Sequence, residues 1–141
     1  MTEKTLHARV RETGESAYAV EIAVDGHILK GDEPVEDGGG GLGPNPHEMV
    51  LAALGECTAM TVRWYALRNA IPLESVDVEL SYARGPAEGR SGAVDVFNKS
   101  VRLTGAALTP EQKSRLLDVA RKCPIQRMLE GTPAIHTTAR D

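Results

Sequence analysis

Hydrophobic and polar residues alternate in the first part of the chain, a pattern typical of strands. Residues 6–10 begin one such segment, and residues 18–24 form a stronger one. Asp25 and Gly26 both tolerate positive φ, which predicts a hairpin turn with residues 27–30 returning antiparallel. An acidic, glycine-rich stretch over residues 32–43 then predicts a loop.

The next segment, residues 46–69, is apolar and predicts a long helix. Asn45 can cap its start, Pro46 suits the first helical position, and Glu48 falls where a capping box has its acid. Between residues 49 and 62 the only charge is Glu56, and the apolar residues point to every side of the axis. A helix that is apolar all round is buried all round. We therefore expect a homodimer that shares this helix, with a helix central to a monomer as the alternative.

The second half of the chain returns to strands and short helices. Residues 73–84 alternate cleanly, and residues 93–104 form the next strand, although a change of apolar phase near residues 98–100 predicts a bulge. Thr109 and Pro110 begin a helix that extends to about residue 122. A short helical turn at 125–129 and an edge strand at 133–138 complete the prediction. The element order indicates an α+β fold, with antiparallel sheets and one domain over residues 1–141.

Composition narrows the class of protein. The 141 residues include two cysteines, too few for a disulfide-rich scaffold or a four-thiolate zinc site. A net charge of -4 provides no basic field for nucleic acid or an anionic membrane. Neither a signal peptide nor a membrane span is found in the sequence, so we expect a cytoplasmic protein. Cytoplasmic thiols are normally reduced, so any reaction between the cysteines is expected to be transient.

Two common kinds of site are disfavoured. Gly38, Gly40 and Gly43 match a dinucleotide-binding glycine pattern, but the acidic segment before them is not a buried strand. A mobile loop that closes over a pocket is the better interpretation. The four histidines are scattered without metal-ligand spacing, so no metal is expected.

Cys57 lies in the middle of the long helix among apolar residues, where a packed, unreactive cysteine is the plain alternative. Reactivity requires a thiolate, and apolar burial raises the pKa of a thiol. The helix N-terminus is too distant to lower that pKa, so a positive charge from elsewhere in the fold is needed. Helix geometry disfavours Arg63, and the sequence does not choose among Arg9, Arg11 and Arg127.

Cys123 lies at a helix break, between Lys122 and Pro124. The basic residues around it favour a thiolate more than the neighbours of Cys57 do. A buried cysteine at a helix end is the alternative interpretation.

Two segments carry a family resemblance. They read DGHILKGDEPVEDGGGGLGPNPHEMVLAALGECTAMTVRWYA and ARKCPIQRMLEG. The chain resembles the OsmC/Ohr family of thiol-dependent hydroperoxide reductases, in which a helix cysteine is followed about 65 residues later by a Cys-Pro pair. The resemblance implies an intertwined α+β homodimer with an OsmC-like fold and a long central helix.

The resemblance also implies a chemistry. Cys57 matches the peroxidatic cysteine, which attacks a hydroperoxide and becomes a sulfenic acid, and Cys123 matches the resolving cysteine. An external dithiol would reduce the resulting disulfide, and neither a metal nor a flavin is implied. Better known members have an acid directly after Asn-Pro that orients an arginine. Here His47 holds that position and Glu48 follows, nine residues before Cys57 and ~13 Å away along the helix.

Three functions remain open from the sequence. The first is a Cys-based peroxidase for organic hydroperoxides or hydrogen peroxide, with Cys57, Cys123 and Glu48 as catalytic residues. The second is a non-catalytic OsmC-like module that binds a small apolar ligand in the dimer cleft. The third is a purely structural use of both cysteines.

Overall fold

The structure is a computed structural model and describes residues 4–140. Two compact units divide the chain, one ending at Val50 and the other beginning at Leu51. The elements in chain order are β1 (Ala8–Glu12), β2 (Val20–Val24), β3 (His27–Gly31), a 3₁₀ turn (Val35–Asp37), α1 (Pro46–Arg68), β4 (Ser75–Gly85), β5 (Val94–Thr104), α2 (Pro110–Ala120) and α3 (Pro124–Glu130). The predicted α+β class is confirmed, and the single domain over residues 1–141 stays a prediction.

The first unit contains a three-stranded antiparallel sheet in the order β1-β2-β3. Its hairpin between β2 and β3 turns at Asp25, with φ 48°, and Gly26, with φ 79°. A two-residue hairpin of type I′ needs positive φ at both positions, and these two residues adopt it at little cost. The predicted hairpin is therefore confirmed.

Asp32 fixes the glycine-rich loop that follows this sheet. Its side chain, only 4% exposed, accepts hydrogen bonds from the Ser16 hydroxyl at 2.9 Å and from the backbone N–H groups of Glu33 and Gly40 at 2.8 and 3.1 Å. Burial alone would raise the pKa of Asp32, but these hydrogen bonds hold it below its usual value. The expectation of a mobile loop does not fit this set of bonds.

The predicted start of α1 is confirmed in detail. The Glu48 N–H donates to the Asn45 side-chain oxygen at 2.9 Å, and the Asn45 N–H donates to the Glu48 carboxylate at 2.8 Å. This reciprocal pair satisfies two of the N–H groups that a helix start leaves without intrahelical partners. The carboxylate of Glu48 thus has a structural task at the helix start.

The β4–β5 hairpin pairs without interruption, from Ser75 opposite Thr104 to Gly85 opposite Val94. The bulge predicted near residues 98–100 is therefore wrong. The apolar phase changes because Val94 and Val96 are half-buried on one face of β5, whereas Val101 and Leu103 lie with Lys99 on the other face, and the backbone pairing continues unbroken.

The core of the second unit lies between α1, α2 and the β4–β5 hairpin. Its buried members are Val62, Ala66, Ile71, Leu73, Leu103, Leu116 and Ala120. The capping box at Thr109 and Gln112 that begins α2 is formed as predicted. Residues 133–138 form no strand, contrary to prediction, and Ile135 there is 83% exposed. A β-prone segment becomes a strand only when a neighbouring strand pairs with it.

Candidate active site

Cys57 on α1 and Cys123 at the start of α3 lie close to each other where these two helices meet. Cys57 lies midway along α1 and is partly exposed, whereas Cys123 is fully buried and caps the start of α3. Pro124 occupies the first helical position, where its missing N–H costs no hydrogen bond. The Cys-Pro pair therefore begins α3 shortly after α2 has ended at its C-cap, Arg121, and places a thiol at the turn between the two helices.

The first turn of α3 directs backbone N–H groups at both sulfurs. The Ile125 N–H donates to the Cys57 sulfur at 3.5 Å, and the Gln126 N–H donates to the Cys123 sulfur at 3.4 Å. Such donors stabilise a thiolate more than a thiol, since the charged sulfur is the better acceptor. One short helix thus serves two cysteines 66 positions apart in the sequence.

Lys99 brings a positive charge to this site. Its ammonium donates to the Thr58 hydroxyl oxygen at 2.9 Å, to the Ala120 carbonyl at 2.8 Å and to the Gln126 side-chain oxygen at 2.6 Å. Burial lowers the pKa of Lys99, and the charge of Cys123 opposes this most strongly. The sequence did not identify Lys99 as a site residue, because its phase break was interpreted as a bulge. A lysine between Phe97 and Val101 on the same strand face was the available signal.

The surroundings of Cys123 favour its thiolate. Burial raises its pKa, but the Gln126 N–H, the Thr58 hydroxyl, the Cys57 thiol and the Lys99 charge together outweigh burial, so the pKa of Cys123 lies below its usual value. The Thr58 oxygen lies 3.6 Å from the Cys123 sulfur. Thr58 is fully buried and immediately follows Cys57 in α1.

The surroundings of Cys57 favour its thiol. Burial raises the pKa of Cys57 and outweighs the Ile125 N–H, which lowers it. The two thiols also interact with each other, and this interaction raises the pKa of Cys57 and lowers the pKa of Cys123. The Thr61 hydroxyl lies 3.9 Å from the Cys57 sulfur and supports its thiolate only weakly.

The other predicted site residues have different surroundings. Arg63 donates to the backbone oxygens of Leu73 and Glu74, in accord with the helix geometry that disfavoured it. Arg127 is exposed on α3. Glu48 bonds to Asn45 at the helix start, and its catalytic role stays a prediction, as do the roles of Arg9, Arg11 and His47.

Two further properties concern residues 4–140. In this part of the chain, no group of three or more His, Cys, Asp or Glu side chains is arranged to hold a metal ion. No helix here is long and apolar enough to cross a membrane.

The fold and most of the sequence match a known family. Residues 38–138 match the family model described as OsmC-like protein. The chain belongs to the OsmC-like family, as the sequence resemblance indicated. None of the curated protein sequences matches this chain.

Solved structures of the same fold cover nearly the whole chain. An OsmC-like protein from Mycoplasma pneumoniae has a TM-score of 0.72 and 18% identity, covering 92% of this chain and 90% of that one. An organic hydroperoxide resistance protein, OsmC, from Legionella pneumophila has a TM-score of 0.67 and 24% identity, covering 93% of each chain. The organic hydroperoxide resistance protein OhrB of Bacillus subtilis has a TM-score of 0.62 and 18% identity, covering 92% of this chain and 93% of that one.

Proposed function

We propose that this protein is a Cys-based thiol peroxidase that reduces organic hydroperoxides or hydrogen peroxide in oxidative-stress defence. The observation that carries the proposal is the convergence of both cysteines of the chain on the first turn of α3, with an N–H donor on each sulfur. Membership of the OsmC-like family supports it, as do structural neighbours described as organic hydroperoxide resistance proteins.

The difference in exposure supports the assignment of roles. Cys57 is partly exposed and Cys123 is fully buried, so a peroxide from solvent reaches Cys57 first. In the proposed first step, the ionised fraction of Cys57 attacks the distal peroxide oxygen; because burial raises the pKa of Cys57, this fraction, and with it the rate of the step, grows as the pH rises. An S–O bond forms, the O–O bond breaks, and the alkoxide leaves and takes up a proton.

The second step joins the two cysteines. The Cys123 thiolate attacks the sulfur of the Cys57 sulfenic acid, an S–S bond forms, and hydroxide leaves and becomes water on protonation. An external dithiol then reduces the disulfide and is itself oxidised. The proposal includes no metal or flavin, because the thiols themselves undergo the redox change.

The proposed working form is a cytoplasmic homodimer. Met60, Trp64 and Leu67 follow the i, i+4, i+7 spacing of one face of α1, and this face is exposed in the single chain. Together with Val76 they line an apolar groove of 470 Å³. Large exposed apolar surfaces of this kind mark interaction sites, and a second copy of the chain fits the interpretation made from the sequence.

One experiment tests the peroxidase proposal directly. The reduced protein is treated with one equivalent of cumene hydroperoxide, and its cysteines are mapped by mass spectrometry. We expect a Cys57–Cys123 disulfide in the wild type and none in Cys57→Ser. Cys123→Ser should stop at the sulfenic acid on Cys57, which dimedone traps. Unmodified thiols together with undiminished peroxide would refute the peroxidase and favour a non-catalytic module.

A further inference from the structure

Lys99 is held in one position by three hydrogen bonds. An ammonium group has three protons, and its three acceptors come from α1, the end of α2 and α3: the Thr58 hydroxyl, the Ala120 carbonyl and the Gln126 amide oxygen. The Gln126 amide nitrogen donates in turn to the Glu130 carboxylate at 3.2 Å, which fixes the orientation of this amide. The charge therefore lies at a defined point between three helices and the strand that carries it.

Thr58 connects this charge to Cys123. Its hydroxyl oxygen accepts from Lys99 at 2.9 Å, and its single proton has two acceptors within reach, the Leu54 carbonyl at 2.8 Å and the Cys123 sulfur at 3.6 Å. A hydroxyl that accepts a bond from a cation becomes a stronger donor. The route from Lys99 to the buried sulfur thus consists of one side chain, itself fully buried.

We propose that Lys99 is a positioning residue that keeps Cys123 as a thiolate through the Thr58 hydroxyl, ready to close the disulfide with Cys57. This inference rests on the proposed function, for which it identifies the residue that prepares the second step. In that step the lone pair of the Cys123 sulfur forms the S–S bond, and the Cys57 S–O bond breaks. Only a thiolate does this efficiently.

The charged groups around Cys123 support Lys99 as the responsible cation. Cys57 on α1 is the other titratable group in direct interaction with Cys123. Glu130 on α3 attracts Lys99 and draws part of its charge away from the sulfur. Arg121 and Lys122 are adjacent along the chain but exposed, and Arg121 pairs with Asp118 at 2.7 Å.

The first test titrates Cys123 alone, in the Cys57→Ser background, by thiolate absorbance at 240 nm. In that background Cys123 is the single thiol of the chain. We expect Lys99→Met to raise the titration midpoint by about one pH unit or more, as removal of a neighbouring opposite charge does. Lys99→Arg should keep the midpoint close to the parent value. Lys122→Met is the matched control, since it removes an exposed lysine next to Cys123, and it should leave the midpoint unchanged.

A second pair of variants covers the case in which Lys99→Met fails to fold, as judged by circular dichroism. Thr58→Val removes the bridging hydroxyl and nearly preserves the shape, while Thr58→Ser keeps the hydroxyl. We expect a higher Cys123 midpoint in Thr58→Val than in Thr58→Ser. Equal midpoints in this pair, or a Lys99→Met midpoint equal to that of Lys122→Met, would overturn the proposal.

The kinetic consequence is measured with peroxide in the otherwise wild-type chain. Because each pH unit of midpoint shift costs about a factor of ten in thiolate below the midpoint, Lys99→Met should prolong the dimedone-trappable sulfenic acid on Cys57 by about tenfold. An unchanged lifetime would contradict the role of Lys99 in the second step. The titrations use no peroxide, so failure of the peroxidase proposal and failure of the Lys99 proposal give different results.

Discussion

Cys57 and Cys123 have the same side chain but opposite electrostatic surroundings. Cys57 is held in the apolar middle of a long helix, where burial raises its pKa. Cys123 is buried more deeply, yet Gln126, Thr58, Cys57 and Lys99 lower its pKa. Burial alone does not rank the two thiols, because hydrogen bonds and a fixed charge exceed the desolvation cost at only one of them.

We predict that Cys123 loses its proton at a lower pH than Cys57. In Cys57→Ser, the remaining thiol should titrate at a lower pH than the remaining thiol of Cys123→Ser, because Gln126, Thr58 and Lys99 still act on Cys123 while burial still raises the pKa of Cys57. Absorbance at 240 nm as a function of pH measures both midpoints. The same order is expected in 1 M salt, because buried charges are weakly screened. A lower midpoint for Cys57 would contradict this account of the two surroundings.

At the scale of elements, local signals in the sequence were sufficient where a few adjacent residues determine the geometry. The Asp25-Gly26 hairpin and the helix starts at Asn45 and Thr109 all formed as predicted. The predicted bulge was wrong because β5 carries half-buried apolar residues on both faces, and the half-buried Lys99 on one of them bonds to partners on three other elements. Tertiary packing decides which residues so distant in the sequence come into contact, and the alternation of polar and apolar residues does not predict these contacts.

The same reasoning explains which part of the site could be predicted. Both cysteines were identified from the sequence, because their types and their places in the helical pattern are local properties. The Lys99–Thr58–Cys123 connection could not be, since it joins β5, α1 and the start of α3. The sequence did indicate that a thiolate at Cys57 needs a positive charge from elsewhere in the fold.

The loop after β3 leads to a prediction about one glycine. A Cβ added at Gly43 would lie 2.2 Å from the backbone oxygen of Lys30, a distance that backbone atoms cannot accommodate without movement. Gly43→Ala should therefore lower the free energy of unfolding by roughly 1–3 kcal/mol, as measured by urea denaturation. Gly85→Ala is the matched control, since a Cβ there meets nothing within 4 Å. Equal stability of the two variants would show that the loop moves freely.

At the scale of the whole molecule, α1 has two unlike faces. Leu54, Thr58, Val62 and Ala66 are buried within the chain. Met60, Trp64 and Leu67 on the other face are 63%, 56% and 72% exposed. The apolar pattern of the sequence predicts that this helix is buried on all sides, and the chain itself buries only one side. We propose a second copy of the chain as the cover for the other side.

A charge placed in the middle of that exposed face tests the homodimer. In a two-fold interface each substitution occurs twice, and an unpaired buried carboxylate is costly. Trp64→Glu should therefore raise the dimer dissociation constant by about a hundredfold or more. Sedimentation equilibrium should then give the 15.1 kDa mass of one chain instead of twice that mass.

The control variant is Lys113→Glu, on the exposed side of α2, which should leave the dimer intact. A wild-type protein that sediments as a monomer at micromolar concentration would refute the proposed dimer, and an unaffected Trp64→Glu dimer would place its interface elsewhere.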